Sequence, residues 1–162
     1  MRSLEDQRRR AQAERSGDGT AEASQQSRWA GYRRAIIRAE LTRGEWHLLN
    51  GPQAVQPWPF AGAVFVITAH NPHGSIQPAA VNDEQQTRLA ADLAKVGAGM
   101  MRAVGGSSDG RHEEASFLVW GIAEDEARRI AAAYGQDAIF ELTDDTVAIV
   151  DAISGERERH PR

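Results

Sequence analysis

Two short continuous apolar runs dominate the hydrophobic pattern of the chain. They are residues 63–69 (AVFVITA) and residues 116–122 (SFLVWGI). Turn-forming residues bound the first run, which is typical of a strand buried on both faces of a sheet. The second run is predicted to be another strongly apolar strand. Shorter or less apolar strands are predicted at residues 46–49, 100–104, 138–142 and 146–152.

Apolar residues at spacings of three and four predict three helices. The first helix is expected at residues 28–43, where one apolar stripe contains Trp29, Tyr32, Ile36 and Ala39. The second is expected to begin at Asn82, which would cap it. The third begins with Glu124, because negative charge is favoured at a helix N-terminus, and ends at Gly135.

The order of elements from residue 63 to residue 142 is strand, helix, strand, strand, helix, strand, which matches the split βαβ motif. In that arrangement the first and third strands are central and should be the most apolar, as residues 63–69 and 116–122 are. We therefore predict an α+β fold, namely a ferredoxin-like antiparallel sheet with two packed helices. An N-terminal helix and a C-terminal hairpin strand would be additions to it.

The composition fits one domain. A chain of 162 residues with 41% hydrophobic residues can bury one core. We expect this domain at residues 28–153, between flexible polar tails at residues 1–27 and 154–162. Both tails have too few large apolar side chains to offset the entropy of ordering them.

Charge and residue usage exclude several classes of function. No cysteine is present, so disulfides, thiolate metal sites and a cysteine nucleophile are excluded. A net charge of -4 argues against nucleic acid as a partner. No stretch approaches the roughly 20 apolar residues of a membrane span, and the N-terminus is polar. We therefore expect a cytoplasmic protein with no membrane partner.

Polar residues collect at one edge of the predicted sheet. Because strand direction alternates, the loop after residue 69 should lie beside the starts of the strands near residues 116 and 138. The candidate ligand-binding residues are Asn71, His73, Asn82, Arg88, Glu114, Ser116 and Gln136. A helix N-terminus at Asn82 would favour an anion. The alternative is that such residues only cap helices and close turns, which is favoured for Asn82 and stays open for Glu114 and Gln136.

Four motifs together resemble a bacterial family of unknown function, domain of unknown function 3293. They are residues 67–72 (ITAHNP), Asn82, residues 114–119 (EASFLV) and residues 134–138 (YGQDA). The resemblance covers residues 32–150. Compared with the family pattern, Asp137 stands where asparagine is usual and His70 where an aromatic residue is frequent. The resemblance implies the extent of the domain and no particular activity.

Three functions fit the sequence. The first is binding of a small polar or anionic ligand at the sheet edge. The second is a protein-interaction or homodimerisation module that uses an edge strand or the helix carrying Trp29 and Tyr32. The third is a small hydrolase-type enzyme with Glu114 as general acid or base and His73 or His112 as its partner.

No metal or cofactor is predicted. Imidazole and carboxylate groups suit zinc or manganese. A site built from His70, His73, His112 and either Glu113 or Glu114 is therefore the alternative to the absence of a metal.

Overall fold

The computed structural model describes residues 29–162, so the predicted tail at residues 1–27 lies outside the described residues. The chain divides into two compact units at residues 34 and 35. In the described part of the first unit, residues 29–32 are helical. The second unit, residues 35–162, contains the sheet and the candidate residues.

Eight strands of the described chain form one antiparallel sheet. They are β1 Ile36–Thr42, β2 Glu45–Leu48, β3 Val64–Ile67, β4 Gly99–Gly106, β5 Glu113–Trp120, β6 Ala138–Leu142, β7 Thr146–Asp151 and β8 Arg157–Pro161. Their order across the sheet is β2-β1-β4-β5-β3-β6-β7-β8. The sheet is curled into a half-barrel, with β2 and β8 at its two edges.

Two helices follow β3 and β5 and pack on one face of the sheet. They are α1 Ala79–Lys95 and α2 Glu124–Ala133. Leu89 of α1 and Ile130 of α2 belong to the same buried cluster as Phe65 and Ile67 of β3. No helix within residues 29–162 has the length and apolarity needed to cross a membrane.

The other face of the sheet has its own apolar cluster. Val64 and Val66 point to this side, alternating with Phe65 and Ile67 on the helical side. All four residues of β3 are buried. This burial on both faces explains why the segment is a continuous apolar run rather than an alternating one.

The ferredoxin-like α+β prediction is wrong. The structure is an eight-stranded, all-antiparallel curled sheet with few helices. The prediction treated the N-terminal segment and the last hairpin as additions to a four-stranded core. Instead, β1 pairs with β4 and β7 pairs with β6, so the sheet continues outward on both sides.

The predicted helix at residues 28–43 is also wrong, because residues 36–42 form β1. Ile37 and Ala39 are fully buried while their neighbours in the strand are less so, which is the period of two expected of a strand. β1 turns back into β2 through Gly44, whose φ of +85° suits glycine.

The expected flexible tail at residues 154–162 instead contains strand β8. Its residues pair with β7 from Arg157 to Pro161. Arg157 Nη1 donates to Glu141 Oε2 at 3.2 Å, and Arg159 Nη2 lies 3.6 Å from Glu141 Oε1. The buried Glu141 carboxylate thus explains how such a polar segment becomes ordered, because a buried charge requires partners.

Candidate functional site

The loop between β3 and α1 has an unusual backbone. Asn71 and His73 have φ values of 49° and 53°, and within residues 29–162 they are the non-glycine residues with positive φ. Asparagine and histidine adopt this conformation more often than most non-glycine residues, but it still costs energy. Surrounding contacts must therefore hold the loop in place.

Asn71 is held by α1 and by its own loop. Its backbone N–H donates to Asn82 Oδ1 at 3.0 Å, and Asn82 Nδ2 donates to Asn71 Oδ1 at 3.1 Å. The backbone N–H of Gln77 also donates to Asn71 Oδ1, at 2.9 Å. Both lone-pair sites of this amide oxygen are thus used.

Asn82 does not cap α1, contrary to the prediction. The helix begins at Ala79, with Pro78 in the cap position, so Asn82 lies inside the first turns. Its side chain is buried and faces Asn71. The polar side chain of Asn82 contacts the loop after β3, and it does not cap the helix to which it belongs.

Asn71 also positions a carboxylate on the neighbouring strand. Asn71 Nδ2 donates to Glu114 Oε1 at 2.7 Å, and His112 Nε2 lies 3.3 Å from the same oxygen. The Glu114 side chain is only 22% exposed. Its second oxygen, Oε2, receives no hydrogen bond from the part of the chain that the structure describes. Glu114 is therefore anchored through one oxygen and available through the other.

His70 lies beside this carboxylate. Its Nε2 atom is buried and has no hydrogen-bond partner among the described residues. Burial lowers the pKa of His70 below its usual 6.5, although the nearby charges of Glu114 and Asp83 oppose this effect. The imidazole is therefore neutral at pH 7, and one of its ring nitrogens is unsatisfied.

Gln86, on α1, has a second unsatisfied group in this region. Its Oε1 accepts a 3.0 Å hydrogen bond from the backbone N–H of Ala69. Its Nε2 atom is buried without a partner among residues 29–162. Buried polar atoms usually have partners, so two such atoms near Ala69 and His70 require an explanation.

The turn before β6 completes the cluster. Gln136 Nε2 donates to the backbone carbonyl of His70 at 2.8 Å, and the backbone N–H of His73 donates to the carbonyl of Gly135 at 2.8 Å. A Cβ atom on Gly135 would lie 2.8 Å from Pro72 Cβ. The two loops therefore pack so closely that only glycine fits at residue 135.

The predicted ligand-binding residues divide into three groups: four that share one hydrogen-bond network, Ser116, and the pair His73 and Arg88. Asn71, Asn82, Glu114 and Gln136 are brought together with His70 in what we call the polar corner. Ser116 is buried, and its hydroxyl donates to the carbonyl of Glu114 on the same strand at 3.2 Å.

His73 and Arg88 do not contact Glu114. His73 Nδ1 lies 3.6 Å from Asp137 Oδ1, and the His73 side chain is mostly exposed. Arg88 pairs with Glu84 on the outside of α1 at 2.5 Å. In the part of the chain that is described, no group of three His, Asp or Glu side chains is arranged to bind a metal ion.

His70, His112 and Gln86 were not among the predicted ligand-binding residues. For His112 a signal was present, because it lies two residues before Glu114 at the start of β5, and an acid–base pair of this type was weighed. For His70 and Gln86 no local pattern indicates burial. Their positions depend on the packing of α1 against the end of β3.

The fold and the polar corner define a single-sheet domain with a buried hydrogen-bond network at one end of β3. Residues 67–139 match the family described as Protein of unknown function (DUF3293). The match confirms the resemblance seen in the sequence motifs, and it contains the whole polar corner. No curated protein and no solved structure shows significant similarity to the chain.

Proposed function

We propose that the polar corner binds a small polar ligand that presents a hydrogen-bond donor to Glu114. The observation that carries this proposal is the Glu114 carboxylate, which Asn71 holds through one oxygen while the other has no partner among the described residues. Its charge acts on the buried imidazole of His70. A ligand that donates a hydrogen bond to Glu114 would satisfy the second carboxylate oxygen.

The charges around the polar corner favour a ligand with a hydrogen-bond donor over an anionic ligand. Glu114 and Asp83 both act on His70, and Asp137 lies beside His73. Arg88 is paired with Glu84, so it supplies no free cation to the corner. An amide, an amine or an ammonium group suits such an environment, because the Glu114 carboxylate would repel an anion. We therefore narrow the proposed ligand from a polar or anionic molecule to a polar molecule with a hydrogen-bond donor group.

The strained loop supports the same proposal. His73 adopts a left-handed conformation immediately after the Asn71–Pro72 step. Strain of this kind costs on the order of 1–3 kcal/mol and is concentrated at functional sites. Here it places the loop carrying His70 and Asn71 against the start of β5.

The amide side chains have a supporting role in this proposal. Asn71, Asn82 and Gln136 use their polar groups to hold backbone atoms or each other. They therefore position the corner, and contact with the ligand falls to Glu114 and His112, whose side chains are at least partly exposed. A turn-and-cap function accounts for the amides alone but leaves the buried Nε2 atom of His70 without a partner among the described residues.

A second candidate function is acid–base catalysis by Glu114 and His112. The distance of 3.3 Å between His112 Nε2 and Glu114 Oε1 allows proton transfer between them. Such an enzyme would act on the same donor-bearing ligand. Turnover of a bound compound that is lost in His112→Gln, with binding retained, would distinguish catalysis from binding alone.

Thermal-shift screening tests the proposed ligand class. The panel contains amino acids, amines, nucleosides, sugars and sugar phosphates, and binding to the native state raises the melting temperature. A compound with a donor group should stabilise the natural protein and should not stabilise Glu114→Gln. Glu84→Gln, which alters an exposed glutamate on α1, is the matched control and should respond like the natural protein. Equal stabilisation of all three proteins, or none across the panel, contradicts the proposal.

A further inference from the structure

The two edge strands of the sheet are connected by one side chain. Arg162 follows β8, and its side chain is only 1% exposed. Arg162 Nη1 donates to the carbonyl of Leu49, directly after β2, at 3.0 Å. Arg162 Nε donates to the carbonyl of Asp144 at 2.8 Å. One guanidinium group thus links the ends of β2 and β8 across the open side of the curled sheet.

The same group holds residues 51–62, which we call the strap. Arg162 Nη1 donates to the carbonyl of Val55 at 3.3 Å, and its guanidinium lies 4.6 Å from the ring centre of Trp58. A cation over an indole face is attracted to the electrons of the ring. The strap contains no helix or strand.

The strap covers aromatic surface on the face of the sheet opposite the helices. Its Trp58 and Phe60 rings are 5.1 Å apart, and Phe60 lies 5.8 Å from Trp120 of β5. These side chains pack against the buried cluster around Val64 and Leu118. If the strap lifted, the Trp120 side of this cluster would be exposed to water.

We propose that Arg162 is a releasable clasp and that the strap is a cover that opens locally when the clasp is broken. An apolar anchor would resist release because it gains nothing from water, whereas a guanidinium group leaving this site is well hydrated. The strap is also irregular in structure, a feature of segments that open without global unfolding. Opening exposes the aromatic surface around Trp120, and this device is separate from the polar corner.

Limited proteolysis with chymotrypsin tests the clasp. The bond after Phe60 lies inside the strap, and cleavage there follows the population of the open form. Arg162→Ala should be cut at Phe60 roughly tenfold faster or more, because local opening determines access to such a bond. It should also bind the apolar dye ANS more strongly. Arg88→Ala, which removes an exposed arginine that pairs with Glu84 on α1, is the control and should be cut at the natural rate.

A second cleavage site distinguishes local opening of the strap from global unfolding. A milder variant replaces Arg162→Ala if that variant does not fold. Phe117 lies in the middle of the sheet, so its cleavage reports global unfolding. Equal acceleration at Phe60 and Phe117, or no acceleration at Phe60, overturns the proposal. If Arg162→Ala does not fold, Arg162→Lys keeps the charge but loses the forked geometry, and it should accelerate cleavage at Phe60 alone.

Discussion

Asn71 Nδ2 and Glu114 Oε1 are joined by a 2.7 Å hydrogen bond that connects the loop after β3 to the start of β5. Because the amide oxygen of Asn71 is fully used by Asn82 and Gln77, the amide cannot rotate without breaking three contacts. The orientation of Glu114 is therefore fixed by the loop, and its second oxygen is presented in a defined direction.

Two variants of Asn71 separate the contribution of its side-chain hydrogen bonds from that of its left-handed backbone. Asn71→Gly keeps the left-handed backbone but loses the side-chain hydrogen bonds, so we expect a loss of about 1–3 kcal/mol in unfolding free energy. Asn71→Ala should lose about 1 kcal/mol more, because alanine is strained at positive φ. Urea unfolding measures both. Equal stability of the two variants would show that the backbone conformation is not retained.

Asn71→Asp tests the donor to Glu114 specifically. Aspartate can retain the acceptor for Gln77 and Asn82, but it places a second carboxylate against Glu114. We expect the loss in unfolding free energy to disappear in the double variant with Glu114→Gln, because the repulsion requires both charges. A loss that persists in the double variant would mean that the acceptor contacts, and not Glu114, dominate.

Gly135→Ala should disturb the contact between the two loops of the corner. Gly135 and Gly110 both have φ +68°, but a Cβ on Gly110 would meet nothing within 4 Å. Gly110→Ala therefore measures backbone strain alone. We expect Gly135→Ala to be the less stable of the two by about 1–3 kcal/mol, the usual cost of overpacking. Thermal or urea unfolding of the pair checks this, and equal values would contradict the close approach of Pro72.

His70 should make stability depend on pH in the mildly acidic range. Its pKa is lowered in the folded state, mainly by burial, so the unfolded chain binds the proton more readily. The contribution of neutral His70 to the free energy of unfolding is fully present above about pH 6.5. It is lost as the pH falls through the lower pKa of the folded state. Urea unfolding of the natural protein and of His70→Gln should diverge in that window. Parallel pH profiles would argue that His70 titrates normally.

Tyr134 should titrate at high pH. Burial and the 2.7 Å hydrogen bond that its hydroxyl donates to Asp92 raise the pKa of Tyr134 from 10.0 to about 12. The protonated form is favoured in the fold, so its stabilisation is present below pH 10 and is lost as pH rises toward 12. Tyrosinate absorbance of the natural protein minus that of Tyr134→Phe isolates this step. A midpoint near 10 would contradict the buried contact with Asp92.

The central strands were predictable because burial on both faces leaves a local pattern. Residues 63–69 and 116–122 contain β3 and most of β5. β1 was missed because apolar residues in it also fit a helical spacing, whereas the burial of Ile37 and Ala39 depends on pairing with β4. The extent of the sheet was missed for the same reason, since pairing between distant strands is not visible in a local pattern.

The polar corner was predictable only in part. Alternating strand direction placed Asn71, Glu114 and Gln136 at the same edge, and the structure places Asn71 on Glu114 and Gln136 on the carbonyl of His70. The pairing of Arg88 with Glu84, a turn away on α1, was not predicted. The unsatisfied Nε2 atom of His70 results from tertiary packing, so no local sequence pattern predicts it.

Mapping a stabilising compound by NMR tests the central proposal most directly. The protein is labelled with ¹⁵N and titrated with a donor-bearing compound found in the thermal-shift screen. The largest shift changes should fall on the backbone amides of His70, Asn71 and Glu114, and they should vanish in Glu114→Gln while persisting in Glu84→Gln. Changes centred elsewhere, for instance on the strap, or unaffected by Glu114→Gln, would contradict a ligand site at the polar corner.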